Sequence, residues 1–151
     1  MTAWTTARRR VAAPLATTFA VLTDLRRHAG AFPFTTVAAP PPPARTGDRY
    51  EAVSLGFVRD VMVLDRLATS GSGARRAVYH KVDGVFRGTV VLTAAPVDDG
   101  SATDVTWAYD VRLAVGPAAL TRPLATVSCA LVARLALRHL AQLAVQDAAS
   151  A

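Results

Sequence analysis

At 151 residues, 52% of them hydrophobic and 19% charged, the chain has room for one domain and one core and is too apolar to be mostly disordered. Its single cysteine, Cys129, excludes an internal disulfide and a thiolate metal cluster built from this chain alone, and it fits a reducing cytoplasm. The formal charge of +6 comes from 17 basic residues of which only Lys81 is lysine. Apart from Arg8-Arg9-Arg10 they are scattered as pairs and singles, which speaks for a solvated arginine-rich surface and against nucleic-acid binding.

Thr2 to Val11 reads as a first strand, closed by Ala12-Ala13-Pro14. Pro14 suits the first turn of a helix, where its missing N–H costs nothing, and Leu15, Phe19 and Leu22 then recur at helical spacing as far as Asp24. A second short helical piece, Leu25 to Ala29, stops at Gly30. Phe32-Pro33-Phe34 and the proline run 40–43 predict an edge strand with a rigid connector. From Gly47 the pattern changes to strands at Arg49 to Leu55, Val58 to Leu67, Arg75 to Val82, Val85 to Ala95 and Thr103 to Leu113. Asp83-Gly84 is a two-residue hairpin signal. The last strand alternates, with Val105, Trp107, Tyr109, Val111 and Leu113 on one face.

Gly116-Pro117 opens a final helix, with Pro123 as a possible second start. Apolar positions 129, 132, 133, 136, 137, 140, 143 and 144 form one stripe, and Leu124, Val127, Leu131 and Leu135 a second. A helix apolar nearly all round is expected to be covered on both strips. Arg122, Arg134, Arg138 and His139 punctuate the segment 114–145, which argues against stable membrane insertion. The stretch after Arg8-Arg9-Arg10 imitates a twin-arginine signal, but Pro14 and Asp24-Leu25-Arg26-Arg27 interrupt it.

This order gives an α+β architecture: a curved antiparallel sheet of about six or seven strands, two short helices after the first strand, and a long C-terminal helix. A curved sheet closing on one alanine-rich helix leaves an internal cavity, and an apolar cavity is a ligand site. The opening VAAPLATTFAVLTDLRRHAGAFP resembles the entry segment of the SRPBCC superfamily, which comprises START, Bet v 1 and polyketide cyclase/dehydrase proteins. Val11, Ala13, Pro14, Phe19, Leu22, Asp24, Phe32 and Pro33 stand at the matching places. GDRYEAV, GVFRGTVVLTAAPVDDGSATDVTWAYDV and the terminal helix follow in similar order. The resemblance implies a helix-grip fold over residues 1–151 as a single START-like ligand-binding domain, with a hydrophobic small molecule as its partner.

No histidine pair stands at i, i+3 or i, i+4, no glycine-rich phosphate loop precedes a helix, and Ser128 lacks a hydrolase elbow, so neither metal nor cofactor is expected. His28 reads as a surface histidine beside Arg26-Arg27, and Cys129 as a packed small hydrophobe. If the chain is catalytic, His80 and Tyr79 are the candidate acid/base residues. They lie on opposite faces of their strand, and the sequence leaves open which face is concave. Asp60 is inward only if Met62 and Leu64 are, with Arg66 as its partner, and the reading favours exposure. The expected ligand-binding residues are Phe32, Phe34, Tyr50, Met62, Tyr79, Phe86, Trp107 and Tyr109. Two functions follow: a carrier for a lipid-like or polyketide-like molecule, or a cofactor-free polyketide cyclase or aromatase.

Overall fold

Period-two alternation through the middle of the chain builds one antiparallel sheet, and the helical periodicities at either end lay helices into its concave side. The computed structural model describes residues 4–151; Thr2 and Ala3 of the expected first strand lie outside the described residues. The elements are β1 (Thr5–Val11), α1 (Leu15–Thr23), a 3-10 segment (Leu25–Ala31), β2 (Thr35–Ala38), β3 (Arg49–Ser54), β4 (Val58–Thr69), β5 (Arg75–Gly84), β6 (Phe86–Val97), β7 (Ala102–Leu113) and α2 (Ala118–Ala149). The sheet runs β1-β7-β6-β5-β4-β3-β2 and curls into a half-barrel around α2. The chain's first strand therefore pairs beside its last, from Thr5 opposite Tyr109 to Val11 opposite Thr103.

Two bulges and two glycines bend this sheet. An extra residue on β5 separates the pairs Val61–Asp83 and Met62–Lys81, and an extra residue on β4 separates Leu64–Tyr79 and Arg66–Val78. Gly84 (φ +92°) and Gly88 (φ +135°) let strands approach so closely that a Cβ would lie 2.1 Å from the Arg59 carbonyl oxygen or 2.0 Å from that of Asp110. The Asp83-Gly84 signal thus marks a bend of a different kind from the expected tight hairpin. Gly84 stays paired with Asp60 on β4, while the β5–β6 ladder starts only at Lys81 opposite Gly88.

The core lies between the sheet's inner face and α2, α1 and the 3-10 segment, with Leu64, Tyr79, Leu92, Val105 and Leu140 among its fully buried side chains. Two buried hydroxyls, Thr18 Oγ1 at 3.3 Å and Thr103 Oγ1 at 2.9 Å, both donate to the Ala13 carbonyl and tie the entry of α1 to β7. Arg27 pairs with Asp147, joining the 3-10 segment to the end of α2.

Helix α2 runs from Ala118 straight through Pro123, whose missing N–H leaves the Ala119 carbonyl without its helical partner. Its sheet-facing stripe is mostly small: Ala125, Cys129, Ala133, Ala136, Ala141 and Ala144, with Leu137 and Leu140. The expectation that both apolar strips are covered fails. Leu120, Leu124, Val127, Leu131 and Leu135 are 46–75% exposed, because the sheet curls over one side of the helix only. By length and mean hydropathy (1.4) α2 meets the composition of a membrane span, so its arginines alone do not decide the matter. Its place in the structure is that of the core helix gripped by the sheet.

Candidate functional site

Between the sheet and the helical layer lies a cavity of about 120 Å³. Its walls come from the 3-10 segment (Leu25, His28), the following turn (Phe32), β2 and β3 (Thr35, Val37, Tyr50), β4 and β5 (Asp60, Met62, Lys81), β6 and β7 (Val90, Trp107, Tyr109) and α2 (Val132). The alternation of β7 decides the aromatic wall, since residues two apart share a face. Trp107 and Tyr109 stack with ring centroids 5.8 Å apart and planes at 21°. His28 leans on Trp107 at 5.5 Å. The half-exposed Phe32 and Thr35, with Val132 at 39% exposure, mark the side on which the cavity meets solvent.

Two carboxylates interrupt this apolar lining: Glu51 on β3, which pairs with Arg59, and Asp60 on β4. Lys81 on β5 reaches Asp60 on β4, and their side chains are only 7% and 22% exposed. Placing Lys81 inward follows from the register, because Ala77, Tyr79 and Lys81 share the concave face while Arg76, Val78 and His80 take the convex one. The Lys81 ammonium also lies 5.4 Å over the Phe86 ring. Asp60 Oδ2 accepts from Lys81, whereas Asp60 Oδ1 is buried without a hydrogen-bond partner among the described residues. Trp107 Nε1 and the Tyr79 hydroxyl are buried and unpartnered as well.

Burial sets the protonation of the neighbouring groups. His28, 8% exposed, has its imidazole pushed down to about 4 by desolvation, and its Nε2–H donates to the Leu22 carbonyl at 2.9 Å. Desolvation also raises the phenols of Tyr109, Tyr79 and Tyr50 and the thiol of Cys129, so all four hold their protons at neutral pH. The histidine and the phenols near the cavity are neutral, and the formal charges on its wall are carboxylates and the one lysine.

Of the residues expected to bind a ligand, Phe32, Tyr50, Met62, Trp107 and Tyr109 line this cavity. Tyr79 faces inward but is packed in the core edge-on to Tyr50, and Phe86 lies behind the Lys81 ammonium. Phe34 is 79% exposed with φ +59°, turned away at the start of β2. His80 sits on the outer face, half exposed, between Thr89 Oγ1 at 3.1 Å and Asp65 at 3.6 Å, where it does not reach the cavity. Two expectations are corrected outright: His28 is buried on the cavity wall, and Asp60 is inward, paired with Lys81 and not with Arg66.

No protein-family model matches the chain, and no curated protein matches it in sequence. Solved structures do match. The aromatase/cyclase Zhui from a Streptomyces species superposes with a TM-score of 0.68 at 14% identity, covering 95% of this chain and 94% of that one. The Thermus thermophilus protein TTHA0849 gives 0.67 at 16% identity over 96% and 99% of the two chains. The lipid transfer and protein localization domain of human StarD13 gives 0.59 at 14% identity over 89% and 75%. The chain shares the fold of these structures, a curled antiparallel sheet gripping a long C-terminal helix. At these identities the likeness to helix-grip proteins concerns the fold, and the cavity has to be read from its own residues.

Proposed function

We propose that residues 1–151 act as one ligand-binding domain that holds a hydrophobic small molecule, lipid-like or polyketide-like, in the cavity between the sheet and α2. The observation that carries this reading is the lining itself: apolar and aromatic side chains from β2, β3, β4, β6, β7 and α2 around a space interrupted by the Lys81–Asp60 pair and by Glu51. Its size supports a guest of modest width. An apolar cavity of about 150 Å³ takes up benzene, so 120 Å³ holds about one ring, and a longer guest leaves its remainder toward the side open at Val132. The reading invokes no metal, cofactor or nucleic acid, and Cys129, buried and unpaired, fits a reducing cytoplasm.

A second reading, a cofactor-free polyketide cyclase, is favoured by one observation. A base and an acid, the Asp60 carboxylate and the Lys81 ammonium, face the cavity together, where each can meet a carbonyl chain held in a near-attack shape. One experiment addresses both. Freshly purified protein in native mass spectrometry is expected to retain an apolar guest that is released on denaturation, and the filling variant Val90→Phe to retain none. Incubated with a poly-carbonyl substrate, a carrier returns it unchanged, whereas a cyclase returns a ring-closed isomer of the same mass with a different chromatographic retention, lighter by one water for each dehydration that follows. Protein that carries no guest and takes up no apolar probe ends both readings.

A further inference from the structure

Lys81 is the one lysine in a chain whose other basic side chains are all arginine, and it sits inside the cavity. Its charge is already matched by Asp60 Oδ2, so the pair as a whole offers a guest no net charge. What it does offer is asymmetric. Asp60 Oδ1 is a buried acceptor without a donor, and the Lys81 ammonium, with three N–H donors, uses one on Asp60. An unmatched acceptor of this kind is costly to leave dry.

We infer that the guest carries a neutral hydroxyl, as an alcohol or a phenol, which donates to Asp60 Oδ1 and accepts from Lys81. This rests on the cavity reading above and narrows it. A hydroxyl donates and accepts through one oxygen, so it can meet both atoms from a single position. A carbonyl can accept from Lys81 but leaves Oδ1 unmatched. A carboxylate meets the Asp60 charge at close range, and an ammonium meets that of Lys81; in a desolvated site either repulsion is strong. A water molecule can make the same two bonds, so a hydroxyl replaces it without loss while an apolar group does not. The Trp107–Tyr109 stack, which lines the same cavity, supplies a flat surface for the ring that bears the hydroxyl.

Three single-ring probes, matched to the cavity volume, test this by isothermal titration of the full chain at about pH 7: phenol, toluene and benzoate. Phenol is expected to bind at least about tenfold more tightly than either of the others, the size of one charge-assisted hydrogen bond. In Asp60→Asn, shown to be folded by circular dichroism, Lys81 loses its counter-charge and benzoate is expected to overtake phenol. The wild-type ranking stands without any variant. Toluene bound as tightly as phenol, or a wild-type preference for benzoate, overturns the hydroxyl assignment and leaves the cavity reading intact. An unchanged order in folded Asp60→Asn overturns it too. Failure of all three probes to bind overturns the cavity reading with it.

Discussion

His28 keeps its ring neutral by being out of water. Its imidazole binds a proton at about 4 in the folded chain, against a usual value of 6.5, and desolvation is the cause. Between those two values the unfolded chain binds more protons than the folded one, so stability is lost as pH falls through this window and levels off below about 4. From pH 7 to pH 4.5 the expected loss from this one residue is about 2–3 kcal/mol. Urea midpoints of wild type and His28→Gln at the two pH values check it: the variant is less stable at pH 7 but loses less on acidification. Equal losses would place the acid sensitivity elsewhere. The same residue shows what a sequence hides at this scale. Nothing in Arg26-Arg27-His28 announces burial, because the 3-10 turn that rotates His28 under Trp107 is set by long-range packing and not by its neighbours. Asp60 was conditionally legible, since it had to follow Met62 and Leu64 inward. Its partner was not, because the extra residue on β5 and the inward face of Lys81 are properties of strand pairing.

At the scale of elements the pattern was more open to reading. Clean alternation in β7 assigned Trp107 and Tyr109 to one face, and both stand on the cavity wall. Boundaries came within a few residues wherever turn residues punctuate, as at Gly56 or Asp98-Asp99-Gly100. Asp83-Gly84 was read by its local turn chemistry, whereas Gly84 is required for another reason: β4 passes too close for any side chain. Gly88 meets β7 in the same way, and both positions have φ in the region that favours glycine. Gly84→Ala and Gly88→Ala are each expected to cost more than about 2 kcal/mol, since a carbonyl oxygen of a paired strand must shift to admit the methyl. Gly71→Ala, with nothing within 4 Å and no unusual φ, is expected to stay within about 0.5 kcal/mol. Denaturant unfolding of the three variants decides it, and a harmless Gly88→Ala would mean that the sheet does not bend where the geometry puts the bend.

Across the whole molecule the controlling relation is between one long helix and one curled sheet. A 32-residue α2 extends about 48 Å at 1.5 Å per residue, about twice the length of the seven-residue β1 that pairs at one edge. The sheet must also accommodate α1 and the 3-10 segment on its concave side, so it covers only one stripe of α2. That stripe is mostly alanine, with Cys129, Leu137 and Leu140, so the helix can lie close to the sheet. The larger side chains of the N-terminal half face away, and their periodicity alone could not say whether the sheet or solvent receives them. A difference in energetics follows. Leu140 is 1% exposed against the core, and Leu140→Ala should cost about 2–5 kcal/mol through lost burial and the space left behind. Leu124 and Leu131 are 62% and 59% exposed, and Leu124→Gln with Leu131→Gln should together change unfolding free energy by less than about 1 kcal/mol. Unfolding in guanidinium of the isolated protein at low concentration reads both. A loss of several kcal/mol in the double glutamine variant would show that the strip is covered in solution, and that the grip on α2 is closed by something other than this sheet.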